Sequence, residues 1–195
     1  MNILKLTSVL GVLLVWAPTI QAEDLISIVG KKLIEVVVDG KAQTTLPEGQ
    51  IHFLPREERD PMNLVGWRGH SCNDVTQTVE EGALGQTVAW LTYRVVYEYN
   101  GSKGQKGRYL SAVQVIPVKV YTKALYSFNV KLEVGNPVNA GTLENPIPRV
   151  RLLLKFKIHD EFLPTGDREK TDEITLDGVG TLDERGECRI VQAKR

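Results

Sequence analysis

One short stretch of the chain contains residue types that could do catalytic chemistry. Residues 66–73 are GWRGHSCN, and the Gly-His-Ser within them matches the start of the G-x-S-x-G turn that presents a nucleophilic serine in many hydrolases. That turn needs a strand before the serine, a helix after it and a second glycine, but Asn73 occupies the glycine position. The sequence therefore predicts a loop without catalytic residues, and a hydrolase that uses Ser71 and His70 is the alternative.

In the loop interpretation, Trp67 packs over a disulfide near Cys72, while His70 and Ser71 cap backbone groups. In the hydrolase alternative, the base for Ser71 is His70 or another histidine, His52 or His159, that folding brings close. A substitution of Ser71 by alanine would abolish activity in a hydrolase and leave the binding of a partner intact.

Metal and cofactor chemistry has little support in the sequence. The three histidines are far apart, and no pair of closely spaced cysteines is present to complete a zinc site. The acidic residues between 160 and 187 could offer oxygen ligands, yet their spacing does not match a calcium-binding EF-hand loop. We therefore predict neither a metal nor a cofactor.

Basic residues lie in two places where they could contact an anionic partner. The glycine-rich segment 100–108 lacks the Gly-Lys-Ser/Thr ending of a phosphate-binding loop, and a strand pattern follows it, so we expect a hairpin tip. In residues 150–158 the cations alternate with apolar residues, and we expect acids on neighbouring strands to neutralise them. The alternative is a surface that binds an acidic polymer or an envelope protein through the following residues: Lys103, Lys106, Arg108, Arg151, Lys155 and Lys157.

The composition limits the classes of partner. The chain has 24 basic and 24 acidic residues, so its formal net charge at pH 7 is +0. A dedicated nucleic-acid-binding protein normally carries a basic excess, because affinity for nucleic acid depends on neutralising phosphates. We therefore do not expect nucleic acid as a partner.

The N-terminal residues have the pattern of a secretory signal peptide. Lys5 precedes an apolar run at residues 9–16, and the small residue Ala22 stands before the acidic Glu23. We expect cleavage after residue 22 and a periplasmic or extracellular single domain at residues 23–195. No later segment is apolar enough to predict a transmembrane span in the mature chain.

The two cysteines of the chain, Cys72 and Cys188, both belong to the expected mature protein. An exported protein folds in an oxidising compartment, where two cysteines are more stable as a disulfide than as free thiols. We therefore predict one long-range disulfide between them.

A period of two dominates the mature sequence, with β-branched and aromatic residues between Gly, Pro, Asn and Asp clusters. The strands are predicted at 25–29, 33–38, 88–99, 109–121, 126–134, 150–158 and 174–182, the last pairing with 188–193. Residues 135–148 contain three prolines and predict a long connection. Without helices between the strands, this pattern predicts an antiparallel β-sandwich, immunoglobulin-like or related, of seven to nine strands.

Two segments have a helix as an alternative. Apolar residues between Leu25 and Val36 also fit a helical stripe, but the β-branched residues among them favour strands. Asp74–Gly82 begins with a capping pattern, and one short helix is the alternative there. Asp39-Gly40 follows the apolar run at 33–38 and predicts a hairpin turn.

These patterns favour a protein that binds or scaffolds over an enzyme. Loops at the ends of a rigid β-framework often carry the binding residues, which here would be the loops at 47–63 and 136–148 and the tip at 100–108. The secreted hydrolase centred on His70 and Ser71 is the second hypothesis.

Overall fold

The structure, a computed structural model, describes residues 25–30, 34–39, 49–81, 85–160, 168–180 and 190–192. The predicted signal peptide at residues 1–22 lies outside the described residues, and so does Cys188. No helix in the described part of the chain is long and apolar enough to cross a membrane.

The described chain consists almost entirely of antiparallel strands. One single-turn 3-10 helix, Pro61–Asn63, follows the third strand. The strands are β1 Ile26–Val29, β2 Ile34–Asp39, β3 Ile51–Pro55, β4 Arg68–Ser71, β5 Val75–Glu81, β6 Gln86–Lys103, β7 Lys106–Thr122, β8 Tyr126–Val134, β9 Val138–Asn139, β10 Pro148–Asp160, β11 Arg168–Asp177 and β12 Ile190–Gln192.

These strands form two sheets of six strands each. In the first sheet the order is β1-β3-β7-β6-β4, and β5 pairs with β6 beside β4. In the second sheet the order is β12-β11-β10-β8-β2, and β9 pairs with β10. The all-β, two-sheet prediction is confirmed, whereas the immunoglobulin-like type stays a prediction.

The core lies between the two sheets and consists of side chains that alternate with outward-facing polar residues. Phe128 and Phe156 are fully buried and stack with ring centroids 6.1 Å apart. From the opposite sheet, Tyr93 of β6 approaches Phe156 with a centroid distance of 6.3 Å. In β8 and β10 the predicted inward residues are buried or pack against the core, so the predicted register of both strands is confirmed.

The longest elements, β6 and β7, form one hairpin, and its turn has a clear local cause. Gly104 and Gln105 at the tip have φ values of 57° and 66°. Two successive positive φ values are typical of the type I′ turn, whose twist matches that of the flanking strands. The predicted hairpin tip at 100–108 is therefore confirmed.

Strand pairing also agrees with the prediction for the C-terminal region. β11 pairs with β12 so that Ile174 lies opposite Ile190. The connection at 135–148 is irregular apart from the two-residue strand β9.

The short helix considered for Asp74–Gly82 is wrong, because Val75–Glu81 form β5. All residues from Val75 to Val79 except Gln77 are β-branched. Pairing with β6 buries Gln77 and Val79 on one face. The burial of alternate side chains in a sheet outweighs a local capping pattern.

The hairpin turn predicted at Asp39-Gly40 stays a prediction, because residues 40–48 lie outside the described residues. β2, which precedes it, pairs with β8 in the second sheet.

The predicted number of strands was too low. The described residues form twelve strands, and several of the additional ones, such as β4 and β9, are only two to four residues long. Such short segments have too few residues to display a period of two.

Candidate functional site

The Gly-His-Ser segment is part of a strand and not of a loop. β4 pairs with β6 at one edge of the first sheet, with His70 opposite Tyr97 and Ser71 opposite Val96. Because successive side chains of a strand point to opposite faces, His70 and Ser71 face away from each other. The His70 ring meets the Tyr97 ring edge-on at 5.5 Å, whereas Ser71 is exposed on the other face.

The other histidines do not complete a serine dyad with Ser71. His52 Nδ1 lies 2.9 Å from the Ser111 hydroxyl and accepts a hydrogen bond of 3.2 Å from the Ala112 amide. Burial lowers the pKa of His52, which favours the neutral ring that this acceptor role requires. Ser111 is only 1% exposed, so a substrate could not reach this serine. His159 lies on β10 in the second sheet.

Trp67 does not pack over Cys72 as expected. Its Nε1–H donates a 3.0 Å hydrogen bond to the Pro61 carbonyl, and its ring covers Gly101, where a side chain would overlap the ring. Trp67 belongs to a small separate cluster with Leu54, Leu64 and Tyr109. The backbone before β4 lies beside the end of β6, where Val65 forms an isolated bridge with Ser102.

Cys72 is buried in the main core, immediately after β4. Its backbone N–H donates a 2.8 Å hydrogen bond to the Val95 carbonyl. Because Cys188 lies outside the described residues, the bond between Cys72 and Cys188 stays a prediction.

The three candidate binding cations at the hairpin tip have different surroundings. Lys103 lies 3.3 Å from the Glu58 carboxylate. Hydrogen bonds from the Asn63 amide and the Asp60 backbone N–H are the main reasons why the pKa of Glu58 falls to about 2. Lys103 thus faces a carboxylate that is ionised at neutral pH. Lys106 and Arg108 are exposed.

The cations of β10 lie on the outer face of the second sheet, where acids of neighbouring strands pair with Arg149, Arg151 and Lys155. Lys155 Nζ lies 2.8 Å from Glu133 of β8, and Arg151 Nε lies 3.7 Å from Glu173 of β11. The Lys155 contact is the largest cause of the lowered pKa of Glu133. The expectation of cross-strand neutralisation is confirmed for Arg151 and Lys155. Lys157 is exposed on the same face.

A different surface carries residue types that could bind a ligand, namely the outer face of the first sheet where β5, β6 and β7 run side by side. The strand register places two rows of side chains across these strands. One row is Thr78, Trp90 and Tyr121, and the other is Thr76, Thr92 and Lys119. With Thr87 at one end, these residues line a groove of about 650 Å³. We call it the outer groove.

The aromatic pair of the outer groove is held in place by its own contact. The Trp90 and Tyr121 rings stack with centroids 5.9 Å apart and an interplanar angle of 19°. Tyr121 is nevertheless 42% exposed. The pair therefore forms an aromatic wall that remains accessible from solvent.

The polar residues of the outer groove are mostly neutral. The Thr76 and Thr92 hydroxyls hydrogen-bond each other at 2.8 Å, and each retains a capacity for further hydrogen bonds. Lys119 is the one cation in the lining. Beside the groove, Arg94 pairs with Asp74 at 2.6 Å, and this pairing is the main cause of the lowered pKa of Asp74.

One feature of the sequence could have indicated this groove but was not used in the sequence analysis. In the run from Val88 to Tyr99, Trp90 falls on the same face as Thr92 and Arg94, although a large aromatic residue is uncommon on a polar face. The two threonines of β5 could not be placed on this face while a short helix was considered for that segment.

The described residues contain no group of three or more His, Cys, Asp or Glu residues that could hold a metal ion. The lining of the outer groove contains hydroxyls, one amine and aromatic rings. These groups are suited to binding a ligand. No protein-family model matches the chain, and neither the search of curated proteins nor that of solved structures found a match.

Proposed function

We propose that this protein is an exported binding module that holds a component of the cell envelope or the extracellular space in its outer groove. The observation that supports this proposal is the stacked pair of half-buried Trp90 and exposed Tyr121 among four threonines on one sheet face. Export is supported by the signal-peptide pattern of residues 1–22.

The composition of the outer groove is that of a ligand site. Such sites combine apolar and aromatic surface with a few polar groups that orient the ligand. Tyrosine and tryptophan contribute much contact area while losing little conformational entropy, and they dominate the energetics of many binding surfaces. Their accessibility beside four threonines and Lys119 is explained if they contact a partner.

The support beneath the groove is rigid, which favours binding. β6 is a central strand of the first sheet, and the residues that alternate with Trp90 and Thr92, including Leu91 and Tyr93, are buried in the core. A ligand that binds a preorganised surface does not have to order it, so less affinity is lost to entropy.

Binding to an insoluble envelope fraction of the source cells tests this proposal. The chain is expressed with its own N-terminal segment and purified as the cell processes it. We expect Trp90→Ala to lower the apparent affinity in a co-sedimentation assay by at least about tenfold, the loss typical of an aromatic anchor.

Leu143→Ala is the matched control, because Leu143 is also a large exposed apolar residue but lies in the connection at 135–148. Circular dichroism and thermal unfolding verify that both variants are folded. If Leu143→Ala weakens binding and Trp90→Ala does not, the partner contacts the loops, and the groove proposal is wrong.

A further inference from the structure

The chemistry of the outer groove points to a carbohydrate as its ligand, and we propose that it binds a sugar chain of low charge. This inference rests on the proposed function, because it names the class of molecule that the same groove receives. Sugar rings would pack against the Trp90–Tyr121 wall while their hydroxyls bond to the threonines and Lys119.

The aromatic wall suits the apolar face of a sugar ring. A pyranose presents several C–H groups on one face and directs its hydroxyls outward from the rim. The face of an aromatic ring carries partial negative charge and attracts such weakly positive hydrogens. Since Trp90 and Tyr121 stack against each other, their orientation is fixed before a ligand arrives.

The threonines suit the rim of the sugar. A hydroxyl donates one hydrogen bond and accepts two, so a row of threonines can complement sugar hydroxyls of either orientation. Thr78 and Thr92 are half-buried beside Trp90, whereas Thr76 and Thr87 are exposed. Polar partners are therefore available both next to the aromatic wall and at the margin of the groove.

Other classes of ligand fit this lining less well. A lipid tail needs a predominantly apolar lining, whereas four of the seven lining residues are threonines. A peptide that adds a strand needs a free sheet edge, but the groove lies on the face of three paired strands. A nucleic acid needs several cations, whereas the lining holds only Lys119, and the adjacent Arg94 is paired with Asp74.

The outer groove is a shallow depression that is open to solvent. Thr76, Thr87, Lys119 and Tyr121 are exposed to solvent, so a polymer longer than the groove could continue beyond it.

Chemical treatment of the envelope fraction tests the sugar proposal. Periodate cleaves vicinal diols of sugars, and the fraction is reduced and washed before protein is added. We expect this treatment to lower Trp90-dependent binding at least about tenfold, equal to the loss in Trp90→Ala. Binding that survives periodate but is lost after digestion of the fraction with a protease would show a protein partner and overturn the proposal.

Two pairs of variants test the polar contacts. Thr92→Val keeps the β-branched shape but removes the hydroxyl, and Thr175→Val on the outer face of the second sheet is its control. We expect Thr92→Val to weaken binding about three- to tenfold, the value of one hydrogen bond, and Thr175→Val to bind like the wild type. Lys119→Ala is compared in the same way with Lys131→Ala on β8 of the second sheet, where the lysine side chain is 45% exposed.

The outcomes separate the two proposals. If Trp90→Ala binds the untreated fraction as well as Leu143→Ala does, the proposed function itself fails. If binding depends on Trp90, survives periodate and is lost after protease digestion, only the sugar proposal fails. If Thr92→Val and Lys119→Ala both bind like their controls, the proposed recognition of sugar hydroxyls is wrong.

Discussion

At the scale of single residues, one hydrogen bond connects the two sheets through the core. The Tyr93 hydroxyl of β6 donates a 2.8 Å hydrogen bond to Asp172 Oδ2 of β11, and both residues are fully buried. The other carboxylate oxygen, Asp172 Oδ1, has no hydrogen-bond partner. Burial raises the pKa of Asp172 and outweighs the opposing effect of the Tyr93 hydrogen bond.

This raised pKa predicts a dependence of stability on pH. Below the usual pKa of 3.8, the carboxyl is protonated in the folded and unfolded states and imposes no charge cost. As the pH rises above 3.8, the unfolded chain releases this proton while the folded protein retains it, so the free energy of unfolding falls until the pH reaches the raised folded-state pKa. We expect wild type to lose stability relative to Asp172→Asn as the pH rises above about 4.

Denaturant titrations of both proteins across this pH range measure the difference. The informative quantity is the change with pH of the difference in the free energy of unfolding between the two proteins. At any single pH this difference also contains the effect of the amide on hydrogen bonding. A constant difference from pH 4 to pH 7 would mean that the buried carboxyl does not titrate differently in the folded state.

At the scale of elements, the register of β8 and β10 determines which side chains form the core. Phe156 lies opposite Val130, and both residues are buried. A shift of one residue would exchange the inward apolar residues for Lys155 and Lys157, so the burial of charge opposes any other register.

This register predicts a large effect of truncating Phe156. We expect Phe156→Ala to lower the free energy of unfolding by about 3–5 kcal/mol, because it removes buried surface and leaves a cavity between two aromatic neighbours. Chemical denaturation measures the loss. Val138→Ala serves as the control, because Val138 is exposed on β9, and it should change stability by no more than about 0.5 kcal/mol. Equal effects of the two substitutions would contradict the register.

At the scale of the whole molecule, the predicted disulfide would join distant parts of the chain. Cys72 lies between β4 and β5 at the edge of the first sheet, and Cys188 stands shortly before β12 in the sequence. Such a bond closes a long loop and destabilises the unfolded chain through its entropy.

We therefore expect reduction to lower the free energy of unfolding by roughly 2–5 kcal/mol. Cys188→Ala without reductant should be as stable as the reduced wild type, and reductant should not destabilise it further. The measurement is denaturant titration with and without reductant. If titration of the denatured, unreduced wild type finds two free thiols, the predicted bond does not exist.

The sequence by itself determined the features that depend on local periodicity. The alternation in β8 and β10 was sufficient to predict their inward faces, because a period of two directly states which side chains share a face. The glycine-rich tip and the irregular connection at 135–148 followed from residues that favour turns. The signal peptide was predicted from the sequence in the same way and lies outside the described residues.

Only the tertiary structure decided which strands are neighbours, and the candidate site depends on that. The outer groove needs Thr78, Trp90 and Tyr121 in one row, although they come from three strands separated in sequence. The separation of His70 from Ser71 likewise required knowing that their segment is an edge strand. Register across a sheet arises from long-range burial and backbone pairing, and a local pattern does not specify it.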